Sequence, residues 1–161
     1  MKKKIKLFDP IIGNEEETAI LKTLHSKFWA SGQGIGQVLK FEKNFTRFVN
    51  SNDSVAVNSG SSALNLALSL LDLKGKEVIL PSLTFVSTAH AIIQNGGKPI
   101  YVDVDTRTNN IDPIEIESHI TNNTGLIIPV HFGGLPCDLN SILKICEKNN
   151  LPLIEDAAHA A

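Results

Sequence analysis

Two segments of the chain carry residues whose types and spacing suit chemistry: NSGSSALNLAL, from Asn58 to Leu68, and LPLIEDAAHAA, from Leu151 to Ala161. In the first, an apolar run ends at Asn58 and Gly60 permits a tight turn. Ser61 and Ser62 then open a helical pattern with hydroxyls and free backbone N–H groups, which can hold a phosphate. In the second, an apolar run ends in Glu155 and Asp156, with His159 just beyond. A carboxylate at a buried strand end is costly unless a cation pairs with it. A carboxylate, an imidazole and a phosphate cradle at one end of a sheet suit a phosphorylated, charged, nitrogen-containing aromatic ring. Each segment also has a plainer reading, N-capping by Ser61 or Ser62 and capping of the next helix by Asp156. Asp and His can both ligate a metal, but no further ligand cluster accompanies them, and no metal is expected.

Three further segments bear on the site. In PSLTFVSTAHA, Pro81 ends a strand, and Thr84 and Phe85 stand at its carboxyl edge. The Phe85 ring can lie flat on a planar ligand or pack under the loop. In IIPVHFGG, a strand ends at Val130, and Gly133 and Gly134 let the next loop pass close to a ligand or another chain. SGQGIG, from Ser31 to Gly36, resembles a dinucleotide fingerprint only superficially, because it follows Trp29 and a helix rather than a first strand.

These residues need a frame, and the sequence supplies one. Asn14 followed by Glu15, Glu16 and Glu17 reads as a capped helix start running to Lys27, with Ala19, Ile20, Leu21 and Leu24 as its apolar stripe. Val38, Phe41, Phe45, Phe48 and Val49 recur at helical spacing, as a core stripe would. From Ser54 onward, apolar runs alternate with helical segments: SVAVN, EVILP, PIYVDV, GLIIPV and LPLIED. These runs are nearly continuous in Val, Ile and Leu, as parallel strands covered on both faces are, so the class is α/β with an open sheet. Ligands of such sheets bind beyond the carboxyl ends of the strands.

With 161 residues, 42% hydrophobic content, 20% charged content and a net charge of −2, the chain reads as one globular domain without a field for nucleic acid or membrane. Cys137 and Cys146 match no zinc spacing and read as buried free thiols in a reducing cytoplasm. MKKKIKLF lacks the apolar core of a signal peptide.

Taken in order, FWASGQGIGQVLKFEKNF, NSGSSALNLAL, VILPSLTFVSTAHAI, GGKPIYVDVD, IIPVHFGG and IEDAAHA resemble the DegT/DnrJ/EryC1/StrS family of pyridoxal phosphate-dependent sugar aminotransferases. The resemblance implies a type I aminotransferase fold. It divides the chain into an N-terminal helical segment with a substrate-side loop, residues 1–53, and a partial cofactor-binding α/β domain, residues 54–161, forming one structural unit. It implies that Gly60, Ser61 and Ser62 hold the phosphate of pyridoxal 5'-phosphate and that Phe85 stacks on its ring. Asp156 would pair with the ring nitrogen, and His159 would contact the phenolic oxygen. Asp156 and His159 are then the catalytic candidates, and Trp29, Ser31 and Gly32 lie on the sugar-nucleotide side.

The implied reaction moves an amino group, from glutamate or another amino acid, to a keto-sugar nucleotide for surface polysaccharide or glycoside biosynthesis, in a homodimer. One departure stands out. The family's Schiff-base lysine lies beyond IEDAAHA, and none of Lys74, Lys76, Lys98, Lys144 or Lys148 matches it, so the 161-residue chain alone is expected to be inactive as a transaminase. Ser54 to Asn58 is likewise expected to lack the strands that flank it in the family, leaving an exposed edge. Two rivals remain: a sugar dehydratase of the same family, in which histidine replaces the lysine, and a non-catalytic regulatory or binding module.

Overall fold

The computed structural model describes residues 9–29 and 36–160. Contacts divide the chain into two units, Met1–Ala56 and Val57–Ala161.

In the first unit, α1 spans Asn14–Ser26 and α2 spans Gln37–Phe48. Gly13, not Asn14, is the N-cap of α1, and the Glu16 carboxylate accepts its N–H at 2.7 Å. That reach-back bond is half of a capping box, and it leaves Asn14 as the first helical residue. The helix stops at Ser26 because Lys27 takes a left-handed conformation, φ 58°. Neither helix contains a fully buried residue, and the stripe expected to form a core is at most half-buried, at Val38 and Phe45. Its aromatic rings pack on each other instead, Phe41 with Phe45 at 5.8 Å and Phe45 with Phe48 at 6.4 Å.

Residues 54–58, expected as a strand without its flanking neighbours, join no ladder. Their polar groups turn to α2. Ser54 Oγ donates to the Glu42 carbonyl at 2.7 Å, and Ala56 N–H donates to the Glu42 carboxylate at 2.9 Å. An extended segment without a neighbouring strand must satisfy its N–H groups elsewhere, and Glu42 accepts one of them.

The second unit contains α3 Gly60–Leu68, β1 Glu77–Pro81, α4 Val86–Gln94, β2 Lys98–Val102, α5 Pro113–His119, β3 Thr124–Ile127, a 3-10 turn Phe132–Gly134, and α6 Leu139–Asn149. The strands form a parallel sheet in the order β2-β1-β3, with Ile79 opposite Ile100 on one side and Ile127 on the other. The Leu151–Asp156 run extends the sheet beyond β3 by single parallel bridges, Ile127 to Leu153 and Val130 to Asp156, rather than as a full strand. Pro129 and Pro152 explain the interruption, since neither has an N–H to give a ladder. For the same reason β3 stops before Val130, although the chain stays buried through that residue.

Successive residues of β1 face opposite ways, which builds two cores. Val78 and Leu80 pack with Leu64 and Leu68 of α3 and Ala89 and Ile92 of α4. Ile79 packs with Ile116 of α5, Ile127 of β3 and Ile142 and Cys146 of α6. Each such side chain taken from water contributes about 1.5–3 kcal/mol, so the carboxyl ends of these strands rest on a stiff base. No helix among the described residues is long and apolar enough to cross a membrane.

Candidate functional site

The loops that leave the carboxyl ends of the strands carry most of the candidates. At the start of α3 the cap is Ser59, not Ser61 or Ser62, and its Oγ accepts the Ser62 N–H at 3.2 Å. Ser62 Oγ donates to Asn58 Oδ1 at 2.7 Å, which ties the turn to the residue before it. The N–H groups of Gly60 and Ser61 fall in the first turn, where helix geometry provides no carbonyl. A side chain at Gly60 would meet nothing within 4 Å, so the space beside this residue is open. Asn95, which caps the end of α4, donates to Asn65 Oδ1 at 2.7 Å, so the second half of α3 lies beside the end of α4.

Phe85 is the N-cap residue of α4 and is 71% exposed, so its ring does not pack under the loop. Three residues into α4, Thr88 is wholly buried and donates from Oγ1 to Asp156 Oδ2 at 2.9 Å. Thr84 Oγ1 lies 2.9 Å from Thr88 Oγ1. A carboxylate only accepts, so Thr88 gives its one proton to Asp156 and must accept from Thr84. Asp156 is 8% exposed, and its Oδ1 has a long bond, 3.3 Å, from the Ala158 N–H. That contact is the helix-capping reading in reduced form, since a turn rather than a helix follows among the described residues. No cation among the described residues pairs with Asp156.

His159 is exposed and is tied to the loop after β3. The Gly133 N–H donates to its Nδ1 at 3.2 Å, and the Phe132 ring meets it edge-on at 5.9 Å. Asp156 and His159 therefore share one loop system, because the His131 N–H donates to the Asp156 carbonyl at 3.1 Å. In the first unit, Trp29 is largely exposed and its Nε1–H donates to the Leu24 carbonyl at 3.2 Å. Ser31 and Gly32 lie outside the described residues.

The lysines of the second unit sit away from this edge. Lys98 starts β2 and pairs with Glu77 at 3.3 Å, and Lys74 and Lys76 precede β1. Lys144 and Lys148 are exposed on α6, the latter pairing with Glu117. Both cysteines are buried and free. Burial, with the Glu155 carboxylate adding to it, pushes the Cys137 thiol up to about 11, and burial also raises Cys146, so neither is a nucleophile.

Three residues of this region escape sequence reasoning: Thr88, Asn110 and His131. Thr88 had a signal, since Thr84 and Thr88 stand one helical turn apart and can share a proton path. Asn110 and His131 had none, because their roles depend on loops far apart in sequence.

The donor set fits a pyridinium phosphate: amides at a helix start, an exposed ring at a strand end, and a buried carboxylate whose described partners are all neutral donors. Comparison with known proteins shows the family. The model of the DegT/DnrJ/EryC1/StrS aminotransferase family matches residues 10–161. The chain is 44% identical over 152 residues to the spore coat polysaccharide biosynthesis protein SpsC of Bacillus subtilis, covering 94% of this chain and 38% of that protein. Among solved structures it resembles 3-amino-5-hydroxybenzoic acid synthase at 35% identity and TM-score 0.87, covering 94% of this chain and 39% of that one. It also resembles GDP-4-keto-6-deoxymannose-3-dehydratase with a trapped PLP-glutamate geminal diamine, at 28% identity and TM-score 0.88, covering 98% and 42%. The chain thus spans well under half the length of these relatives. Its parallel sheet with helices on both faces is part of a type I aminotransferase fold. Over residues 10–161 the chain belongs to the DegT/DnrJ/EryC1/StrS family of pyridoxal phosphate-dependent aminotransferases.

Proposed function

We propose that this chain is the cofactor-binding part of an aminotransferase that moves an amino group from an amino acid, glutamate by preference, to a keto-sugar nucleotide. The product would feed surface polysaccharide or glycoside synthesis in the cytoplasm, and the working enzyme would be a homodimer. The observation that carries this reading is Asp156, an acid 8% exposed at a strand end whose described partners are the neutral Thr88 hydroxyl and Ala158 N–H. A buried carboxylate so placed suits a cationic partner, and a protonated ring nitrogen would supply one.

Around that pairing the family resemblance gives the other residues their roles. Gly60, Ser61 and Ser62 hold the phosphate, in a turn shaped by the Ser62 hydroxyl's bond to Asn58. Phe85 covers one face of the ring, and His159 offers Nε2–H to the phenolic oxygen. Trp29, Ser31 and Gly32 would line the sugar-nucleotide side. Bound in this cradle, pyridoxal phosphate supplies an electron-accepting ring for chemistry at the amino-bearing carbon. Asp156 holds the proton on the ring nitrogen, and Thr88 keeps the carboxylate oriented toward it. No lysine of the second unit stands at the carboxyl edge, so these residues would bind the cofactor without attaching it covalently.

The polysaccharide-synthesis relative supports the sugar substrate, and the neighbour trapped with glutamate supports the donor. The dehydratase neighbour keeps a second reading open, sugar dehydration on the same scaffold, which the residue at the family's lysine position would separate from amino transfer. The test is a pyridoxal phosphate titration of the purified chain followed by absorbance, then borohydride trapping and peptide mapping. Saturable binding that Asp156→Ala abolishes, with no trapped lysine, is expected. Absence of saturable binding by a folded chain overturns the cofactor reading.

A further inference from the structure

Asn110 lies outside the segments that carry the candidate residues, yet it holds together the loop that touches His159. It is 3% exposed. Its Nδ2 donates to the carbonyls of Leu135 at 2.9 Å and Pro136 at 3.1 Å, and its Oδ1 accepts the Phe132 N–H at 2.9 Å. Two carbonyls on one side and an N–H on the other fix the amide orientation, since the flipped form would set oxygen against oxygen. One side chain therefore spans residues 132–136.

His131 closes the loop from the other end. It is 5% exposed, its Nδ1 accepts the Cys137 N–H at 3.1 Å, and its Nε2–H is left to donate to Glu155 at 2.8 Å. Between these anchors Gly133 and Gly134 take left-handed conformations, φ 63° and 85°, which curl the loop onto residue 159. The fit is close: a Cβ at Gly134 would stand 2.9 Å from the His159 carbonyl oxygen. The curl aims the Gly133 N–H at His159 Nδ1. A backbone N–H can only donate, so Nδ1 is the acceptor nitrogen, and the neutral ring carries its proton on Nε2.

We propose that Asn110 is a positioning residue for His159. Through the 132–136 loop it keeps the Gly133 N–H on Nδ1, so that Nε2–H faces outward as a donor to an acceptor oxygen of the bound ligand. The inference rests on the cofactor reading only in naming that oxygen as the phenolic one. The tautomer and the clamp stand without it.

The test begins without cofactor. The chain is labelled with 15N at histidine, and ring nitrogen shifts are recorded at alkaline pH, where imidazoles are neutral. The exposed His25 and His90 serve as internal references. In Asn110→Ala the His159 Nδ1 shift is expected to move toward those references, and exchange of the Gly133 amide proton to rise about fivefold, the factor a hydrogen bond of ordinary net strength represents. His131 is expected to keep its shifts. His159→Ala should raise Gly133 exchange by a similar factor. Should Asn110→Ala fail to fold, Asn110→Asp keeps the acceptor for the Phe132 N–H and removes the two donors, and serves in its place. Unchanged His159 shifts and Gly133 exchange in a folded variant overturn the proposal.

A second arm compares pyridoxal phosphate with 3-deoxypyridoxal phosphate, which lacks the phenolic oxygen. Asn110→Ala should weaken the first several-fold and leave the second unchanged, whereas equal weakening of both overturns the link to His159. If the wild-type chain binds neither compound, the function reading fails and the nitrogen shifts still decide the clamp.

Discussion

The two units put similar apolar periodicity to different ends. In the first, α1 and α2 carry apolar stripes, yet neither helix has a buried residue among the described ones, and Ile20, Leu21, Leu24, Phe41 and Phe48 are all more than half exposed. In the second, Val78, Ile79, Leu80, Leu126 and Ile127 are wholly buried between two helical layers. A helical stripe thus states only a capacity for burial, while a run of strands separated by helices carries its own cover. Helices of the first kind live on local contacts, and an isolated helix of that length is marginal in water.

The widest separation between the units should come from cavities. Ile79→Ala removes a wholly buried side chain from the cluster shared by α5, β3 and α6, at an expected cost of about 2–5 kcal/mol. Ile20→Ala removes a side chain that is 67% exposed and should cost less than about 0.5 kcal/mol. The chain carries its own reporters for this contrast. The single tryptophan lies in the first unit, and both cysteines lie in the second. Thiol exposure followed through a urea titration should shift for Ile79→Ala and stay in place for Ile20→Ala; equal shifts would break the distinction between covered and uncovered stripes.

A smaller loss is expected at Gly97, before β2, where a Cβ would meet Ile92 Cγ2 at 2.9 Å and Val78 Cγ2 at 3.3 Å. Both neighbours belong to the packed core and cannot swing aside, so Gly97→Ala should cost about 1–3 kcal/mol. Gly13→Ala, whose new Cβ would meet only the end of Glu16 at 3.5 Å, has no packed layer to disturb and should leave the same thiol transition in place.

Next comes the cap of α3. Ser59→Ala removes the acceptor of the Ser62 N–H and should cost about 1 kcal/mol, read from the same transition. If the phosphate cradle lies at this turn, the substitution should also weaken pyridoxal phosphate binding, because Ser59 and Asn58 together order Ser62. Loss of stability with unchanged binding would separate the cap from the cradle.

Where local rules decide, the sequence was legible. The α/β class follows from Val- and Ile-rich runs between helices, and the parallel sheet agrees with it. Asp156 could be singled out because an acid ending an apolar run has few inexpensive explanations. The misses have a common cause. Asn14 and Ser61 or Ser62 satisfy capping rules as well as Gly13 and Ser59 do, and only the backbone angles choose between neighbours. Ser54 to Asn58 is not such a miss: it has the composition of a strand, was expected to lack flanking neighbours, and joins no ladder. Thr88, Asn110 and His131 act across distances in sequence that no spacing rule covers.

The smallest effect tests the first unit alone. Glu16 is held below the ordinary glutamate value of 4.5, first by the Gly13 N–H and then by its own backbone N–H. A carboxylate whose pKa is lowered by folding contributes stability that is present above the unfolded value and lost as pH falls through the folded one. Acidification below 4.5 should therefore fray the first turn of α1, visible in the backbone chemical shifts of residues 14–17, while Glu16→Gln should show no such dependence on this carboxylate. Glu77 is held low as well, first by the Thr121 hydroxyl and then by Lys98, but it opens a strand whose next residues are fully buried, so protonation there should not unpair β1. If β1 opened in the same acid window in which α1 frayed, burial would not be what distinguishes the two units.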